Sequence, residues 1–230
     1  MKGKTHEIRT ECTRCGTCCE KGGPALHLED KPLVMAGRIH TRHLYTIRKG
    51  ERVHDNVRGC LVPAVSDIIK IKGKRQSWEC VFFQAGDKTC DIYEQRPQEC
   101  RILKCWDTRE IEATYQKTRL TRADLLADIA ELWELIQLHE ENCSHELISR
   151  AIQNLGGNAP RKASESIIAA VQYDQAIRRL VVEKGQVTDD MLDFLFGRPL
   201  TQTLKTAGCR IEKTDGKFQV AIGRLPAVGS

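Results

Sequence analysis

The sequence predicts an α+β protein in two parts: a small loop-rich cysteine-cluster module over residues 1–108, then a mainly helical part over residues 109–230 that ends in a β-hairpin. Three observations predict this. Nine of the eleven cysteines fall within the first 105 residues. Charge changes at the same place: residues 1–105 carry 20 Lys and Arg against 13 Asp and Glu, and the remainder carries 16 against 18. Beyond residue 120, apolar residues recur at helical spacing. At 230 residues and 40% hydrophobic, the chain can bury a core, which excludes wholesale disorder. It has no run of eighteen apolar residues, which excludes a helical membrane span. No apolar stretch follows Lys2 and Lys4, so no secretory signal is expected and the cytoplasm is the expected compartment.

The helical elements follow in order. Thr121 caps a helix, with Asp124 as its capping-box partner. Leu125, Ile129, Leu132, Trp133 and Ile136 form its apolar stripe. Ser144 caps a second helix through Leu147, Ile148, Ala151, Ile152 and Leu155, stopped by Gly156. Ile167, Ile168, Val171, Leu180 and Val181 mark a third, ended by Lys184-Gly185. Thr188-Asp189-Asp190 opens a short fourth through Leu192 and Leu195. Residues 210–213 and 217–222 then flank Asp215-Gly216 as a hairpin. In the first part, Ile68–Lys72 and Trp78–Phe83 read as two strands joined around Gly73. The rest of that part is loop, with few large side chains to build a core. Bound metal is the usual substitute in such units.

The cysteines carry the chemistry. A reducing compartment argues against a disulfide framework and for metal or redox use. The first block is Cys12-Thr-Arg-Cys15-Gly-Thr-Cys18-Cys19. Two-residue spacers let a turning backbone aim successive sulfurs at one point, as in zinc knuckles and iron–sulfur sites. Gly16 relaxes the turn. In an extended segment the vicinal pair Cys18-Cys19 points to opposite sides, so one of the two serves a second centre, bridges, or stands as an outer thiol. The second block is Cys80, Cys90, Cys100 and Cys105. Together the blocks hold eight thiols, enough for two four-coordinate sites, or for one cluster that draws on both. Pro97 favours a helix start, which places Cys100 near amides that stabilise a thiolate. Arg96 and Arg101 stand ready to offset charge, since four thiolates leave a divalent ion or a 4Fe–4S core at about −2.

Cys-x2-Cys-x2-Cys-Cys, followed by Cys-x-Phe, Cys-x-Ile-Tyr-Glu-x-Arg-Pro and Cys-Arg, resembles the YkgJ-like CxxCxxCC cysteine-cluster family over roughly residues 8–105. Members are described as zinc- or iron-chelating proteins, and often as iron–sulfur proteins. The resemblance implies that Cys12, Cys15, Cys18, Cys19, Cys80, Cys90 and Cys100 are ligands. Cys60 and Cys105 lie outside the pattern. Cys105 is taken as a further ligand, and Cys60 reads equally well as ligand or packing.

Other residues have blander readings. His139, Cys143 and His145 read as a solvated helix end rather than a second metal site. His27, His40, His43 and His54 have no ligand-like partner at fixed spacing. The basic stretch from Arg38 to Arg58, with Arg42, Arg48, Lys49 and Arg52, reads as a solvated face or as charge balance for the cluster. Nucleic acid is not the expected partner, because Tyr45 alone offers a stacking ring. Trp78, Phe82 and Phe83 are expected to shield the metal, and Trp133 to pack among the helices. The expected function is binding of an iron–sulfur cluster, 4Fe–4S first, or of a zinc or iron ion, in a redox or structural role. The alternatives are a zinc-stabilised interaction module, whose helical part meets a protein partner, and a cluster-containing enzyme. No Ser/His/Asp arrangement, paired carboxylates or phosphate loop supports the last.

Overall fold

The computed structural model describes residues 10–74, 77–185, 187–214 and 217–222. It is α+β, with short antiparallel strand pairs among helices. The first half holds α1 (Thr17–Glu20), α2 (Lys31–Met35), β1 (Leu44–Ile47), β2 (Arg52–Asp55), β3 (Cys60–Pro63), β4 (Ile68–Ile71), β5 (Phe83–Gln84), β6 (Thr89–Cys90) and α3 (Gln98–Ile102). The second holds α4 (Arg109–Thr114), α5 (Arg122–Leu126), α6 (Ala130–Cys143), α7 (His145–Leu155), α8 (Pro160–Lys184), α9 (Leu192–Phe196), α10 (Leu200–Thr206), β7 (Cys209–Thr214) and β8 (Lys217–Ile222).

The caps fall where the side chains dictate. Thr121 and Asp124 form the expected box at α5. Ser144 accepts from the Leu147 amide at the start of α7. The apolar stripe that reads as one helix from Thr121 is two, α5 and α6, parted at residues 127–129. Strands β7 and β8 pair antiparallel as expected, and Asp215-Gly216 lies outside the described residues.

The expected pairing of residues 68–72 with 78–83 is overturned. β4 instead pairs with β1, Ile47 opposite Ile68 and Leu44 opposite Ile71. A single bridge, Gly73 to Cys80, joins the two predicted strands. Burial explains the choice: Leu44, Thr46, Ile69 and Ile71 are all buried on this ladder, whereas Trp78 is 76% exposed. A run that carries Trp78 into solvent gains little as a strand. The hairpin of β2 and β3 also occupies what reads as loop.

The main core crosses residue 108. Leu26, Leu44, Ile71 and Phe83 from one side pack in one cluster with Leu120, Ile136, Ile177 and Phe194 from the other. A buried charged network reinforces the junction, and this corrects two sequence readings. Arg48 is not on a solvated face: it is fully buried. Its guanidinium reaches Glu140 at 3.2 Å, the Cys143 carbonyl at 3.1 Å and His145 at 3.3 Å. His139, Cys143 and His145 are likewise buried rather than a solvated helix end. His139 meets Asp174 at 2.9 Å, and the Cys143 thiol donates to the Ala170 carbonyl. Arg122 and Arg178 cross to carbonyls at the end of α9, Leu195 at 2.7 Å and Gly197 at 2.6 Å. At Gly197, φ is +71° and an added Cβ would meet Arg48 at 2.8 Å, so only glycine lets the chain pass so close.

Among the described residues, no helix is long and apolar enough to cross a membrane.

Candidate metal centre

The first cysteine block folds back on itself. Arg14 has φ 53° and Gly16 φ 85°, two left-handed residues that tighten the loop. The Arg14 amide donates to Cys12 Sγ at 3.4 Å, and the Cys15 thiol lies 3.4 Å from Thr17 Oγ1. Gly16 then caps α1. Its lack of a side chain is essential here, because a Cβ would stand 2.6 Å from the buried Phe83 ring. The Phe83 ring thus seats the loop of the first block on the second.

Cys18 and Cys19 lie in the single turn of α1, not in extended chain. Their Sγ atoms are 4.0 Å apart. The expectation that they diverge is therefore corrected: consecutive helical side chains are about 100° apart around the axis, not opposed.

Main-chain bonds fix the second block against this turn. The Cys80 amide donates to the Cys19 carbonyl at 2.8 Å, and Phe83 donates back to the Cys80 carbonyl at 2.9 Å. Phe83 is also the strand partner of Cys90. Cys19, Cys80 and Cys90 belong to the main apolar cluster. Cys100 stands on α3, whose start is held by Asp30 on the Gln98 amide at 2.8 Å. Glu99, beside it, accepts from the Ala25 amide at 2.8 Å and meets His27 at 3.3 Å. His27 also reaches the Lys117 carbonyl at 2.7 Å. Burial opposes its charge, but Glu99 and that carbonyl outweigh burial and hold the ring above its usual pKa. One ring nitrogen thus faces Glu99 on α3 and the other the Lys117 carbonyl.

Cys18, Cys19, Cys80, Cys90 and Cys100 come from three segments, and each of them lies within electrostatic range of at least one other. The hydrogen bond from Cys19 lowers the Cys18 thiol to about 6 against the effect of burial, with Arg96 helping. The same bond, then burial, pushes Cys19 up. Burial first, and neighbouring thiols next, raise Cys100; burial also raises Cys80 and Cys90. The expected help from helix amides at Cys100 is thus outweighed by desolvation. Lys70, its own pKa lowered by burial, is electrostatically coupled to Glu99, Cys100 and Cys80.

Cys12, Cys15, Cys18, Cys60 and Cys105 are exposed. Cys60 pairs with Asp55 across β2 and β3. Cys105 lies in the turn after α3. None of the eleven cysteines is in a disulfide. Among the described residues, no three Cys, His, Asp or Glu side chains already form a closed metal-holding group. The donor set nevertheless fits a soft cation. Burial makes Cys80, Cys90 and Cys100 resist ionising, and a bound cation would remove that penalty while taking the sulfurs as ligands.

Sequence reasoning placed the thiols but missed their supports. His27, Asp30 and Glu99 carry no spacing signal. Phe82 and Phe83 are buried as expected, but Trp78 is exposed and does not shield the thiols. Trp133 is partly buried against the main cluster.

Residues 11–124 match the CxxCxxCC family, described as a putative zinc- or iron-chelating domain. No curated protein and no solved structure was found to match the chain.

Proposed function

Residues 11–124 belong to the CxxCxxCC cysteine-cluster family, and on that premise we propose that this protein holds an iron–sulfur cluster through thiolates of its two cysteine blocks. The observation that carries this reading is the hydrogen bond from the Cys80 amide to the Cys19 carbonyl, which sets the turn of Cys18 and Cys19 against the segment that carries Cys80 and Cys90. A gathering of thiols alone suits iron–sulfur clusters or zinc, not hard cations. The supply exceeds the four thiolates that one cubane needs, with Cys12 and Cys15 on the same loop. Arg96 and Lys70 offset the negative charge that such a group brings. The role is structural or redox, in a reducing cytoplasm that keeps the remaining thiols intact.

A second reading is a zinc-stabilised module whose helices meet a protein partner. One distance favours it. Sulfurs around a tetrahedral zinc stand about 3.8 Å apart, and Cys18 and Cys19 are 4.0 Å apart.

Purification without oxygen, followed by metal analysis, acid-labile sulfide and a visible spectrum, separates the two. The first reading expects brown protein with iron and sulfide in equal amounts. Colourless protein with zinc supports the second. Cys15→Ser and Cys90→Ser should each lower the metal content. Protein that retains neither zinc nor iron after reconstitution would reject both.

A further inference from the structure

The second block contains Cys90-Asp-Ile-Tyr93-Glu-Gln-Arg96-Pro97, and spacing gives its tyrosine no role as a ligand. It does contact the first block. The Arg14 guanidinium carbon lies 4.1 Å from the Tyr93 ring centroid, and that of Arg96 also lies 4.1 Å away. Arg14 sits between Cys12 and Cys15 in a left-handed backbone conformation, φ 53°, which costs a non-glycine residue free energy unless something holds it. Arg96 is held from the other side, its carbonyl accepting from Arg101 at 3.1 Å.

We propose that Tyr93 is a positioning residue for the metal site: it clasps Arg14, alongside Arg96, and so holds the Cys12–Cys15 loop against the second cysteine block. The proposal rests on the metal-binding reading above. Tyr93 acts through Arg14 and not by touching metal. Cys12 follows Arg14 directly, because its sulfur accepts from the Arg14 amide. Cys15 is the next residue. Phe83 under Gly16 fastens the loop on the far side of Cys15 from Cys12, and the clasp adds a hold on the Cys12 side. Exposed cation–π contacts are modest, so the clasp shifts an equilibrium by a few fold and does not make the fold.

The test uses Tyr93→Leu, Arg14→Gln and the double variant in the full chain, each checked for unchanged circular dichroism. Trypsin cleavage after Arg14 in Tyr93→Leu reports on the clasp without metal, because the protease must draw the Arg14 side chain into its own pocket. Cleavage about threefold faster than wild type is expected in metal-free protein. In zinc-loaded protein, the rate at which a chromogenic chelator strips zinc should rise about threefold in either single variant and no further in the double variant, since both remove one contact. Should Tyr93→Leu fail to fold, Arg14→Gln alone supplies the zinc measurement. Unchanged cleavage would overturn the clasp. Unchanged zinc release, or single effects that multiply in the double variant, would overturn the positioning role. If wild-type protein takes up no zinc, the metal reading fails and the cleavage rate decides the clasp by itself.

Discussion

The amide of Cys80 donates to the carbonyl of Cys19 at 2.8 Å, so main chain, and not sulfur, first joins the two cysteine blocks. That bond ties the α1 turn to the second block through the backbone.

Gly16 is the tightest point of that arrangement. Gly16→Ala forces a Cβ to 2.6 Å from Phe83 at a φ of +85°. It should cost about 1–3 kcal/mol, from overpacking and backbone strain together. Urea unfolding of the metal-free, reduced protein measures this. A midpoint equal to wild type would mean that the loop does not sit on Phe83.

Arg48 is the charge on which the junction between the two halves turns. Arg48→Ala removes one of the two guanidiniums that hold Glu140, Arg122 being the other, leaves the Cys143 carbonyl without its donor, and opens a cavity under Gly197. The expected loss is about 3 kcal/mol or more. A loss below about 1 kcal/mol in urea unfolding would show that water replaces the guanidinium freely.

His139 and Asp174 predict the response to acid. Burial lowers the His139 pKa, with Arg48 helping and Asp174 opposing. Burial raises Asp174, yet His139 and Arg178 overrule it and hold the carboxyl at about 2. Both groups thus bind protons less readily in the folded chain than in the unfolded one. Stability is present at neutral pH and is lost on acidification, first below about 6.5 through His139, then between about 4 and 2 through Asp174. Metal-free protein in urea at pH 7.5 to 5 should lose more stability than His139→Asn over the same range. A variant that loses as much as wild type, or more, contradicts this assignment.

Trp78 should matter little. It is 76% exposed, so Trp78→Ala should change unfolding free energy by no more than about 0.5 kcal/mol and leave metal content unaltered. A sharp drop in either would put the indole back over the thiols.

The legible parts of this protein are those with short-range causes. Thr121 with Asp124, and Ser144 with Leu147, act within one turn and fall where expected. Cysteine spacing pointed to metal chemistry because a turn needs only a few residues to aim its sulfurs, and the family match over residues 11–124 agrees. The vicinal pair misled for the same reason. Whether Cys18 and Cys19 diverge depends on a local conformation that Gly16 sets through its contact with Phe83, and that contact is remote in sequence. His139 and His145 read as solvated because nothing nearby reveals that Arg48 lies over them.

The sequence by itself determined the thiol inventory, the helical stripes and their caps, and the terminal hairpin, since each depends on residues within a few positions of one another. Tertiary structure alone decided that β1 and not residues 78–83 pairs with β4, that the Cys19 carbonyl takes the Cys80 amide, and that Arg48 is buried among histidines and carboxylates. Those outcomes are choices among distant partners, made by which combination removes the most apolar surface from water while leaving the fewest charges unmatched, and no local pattern encodes that comparison.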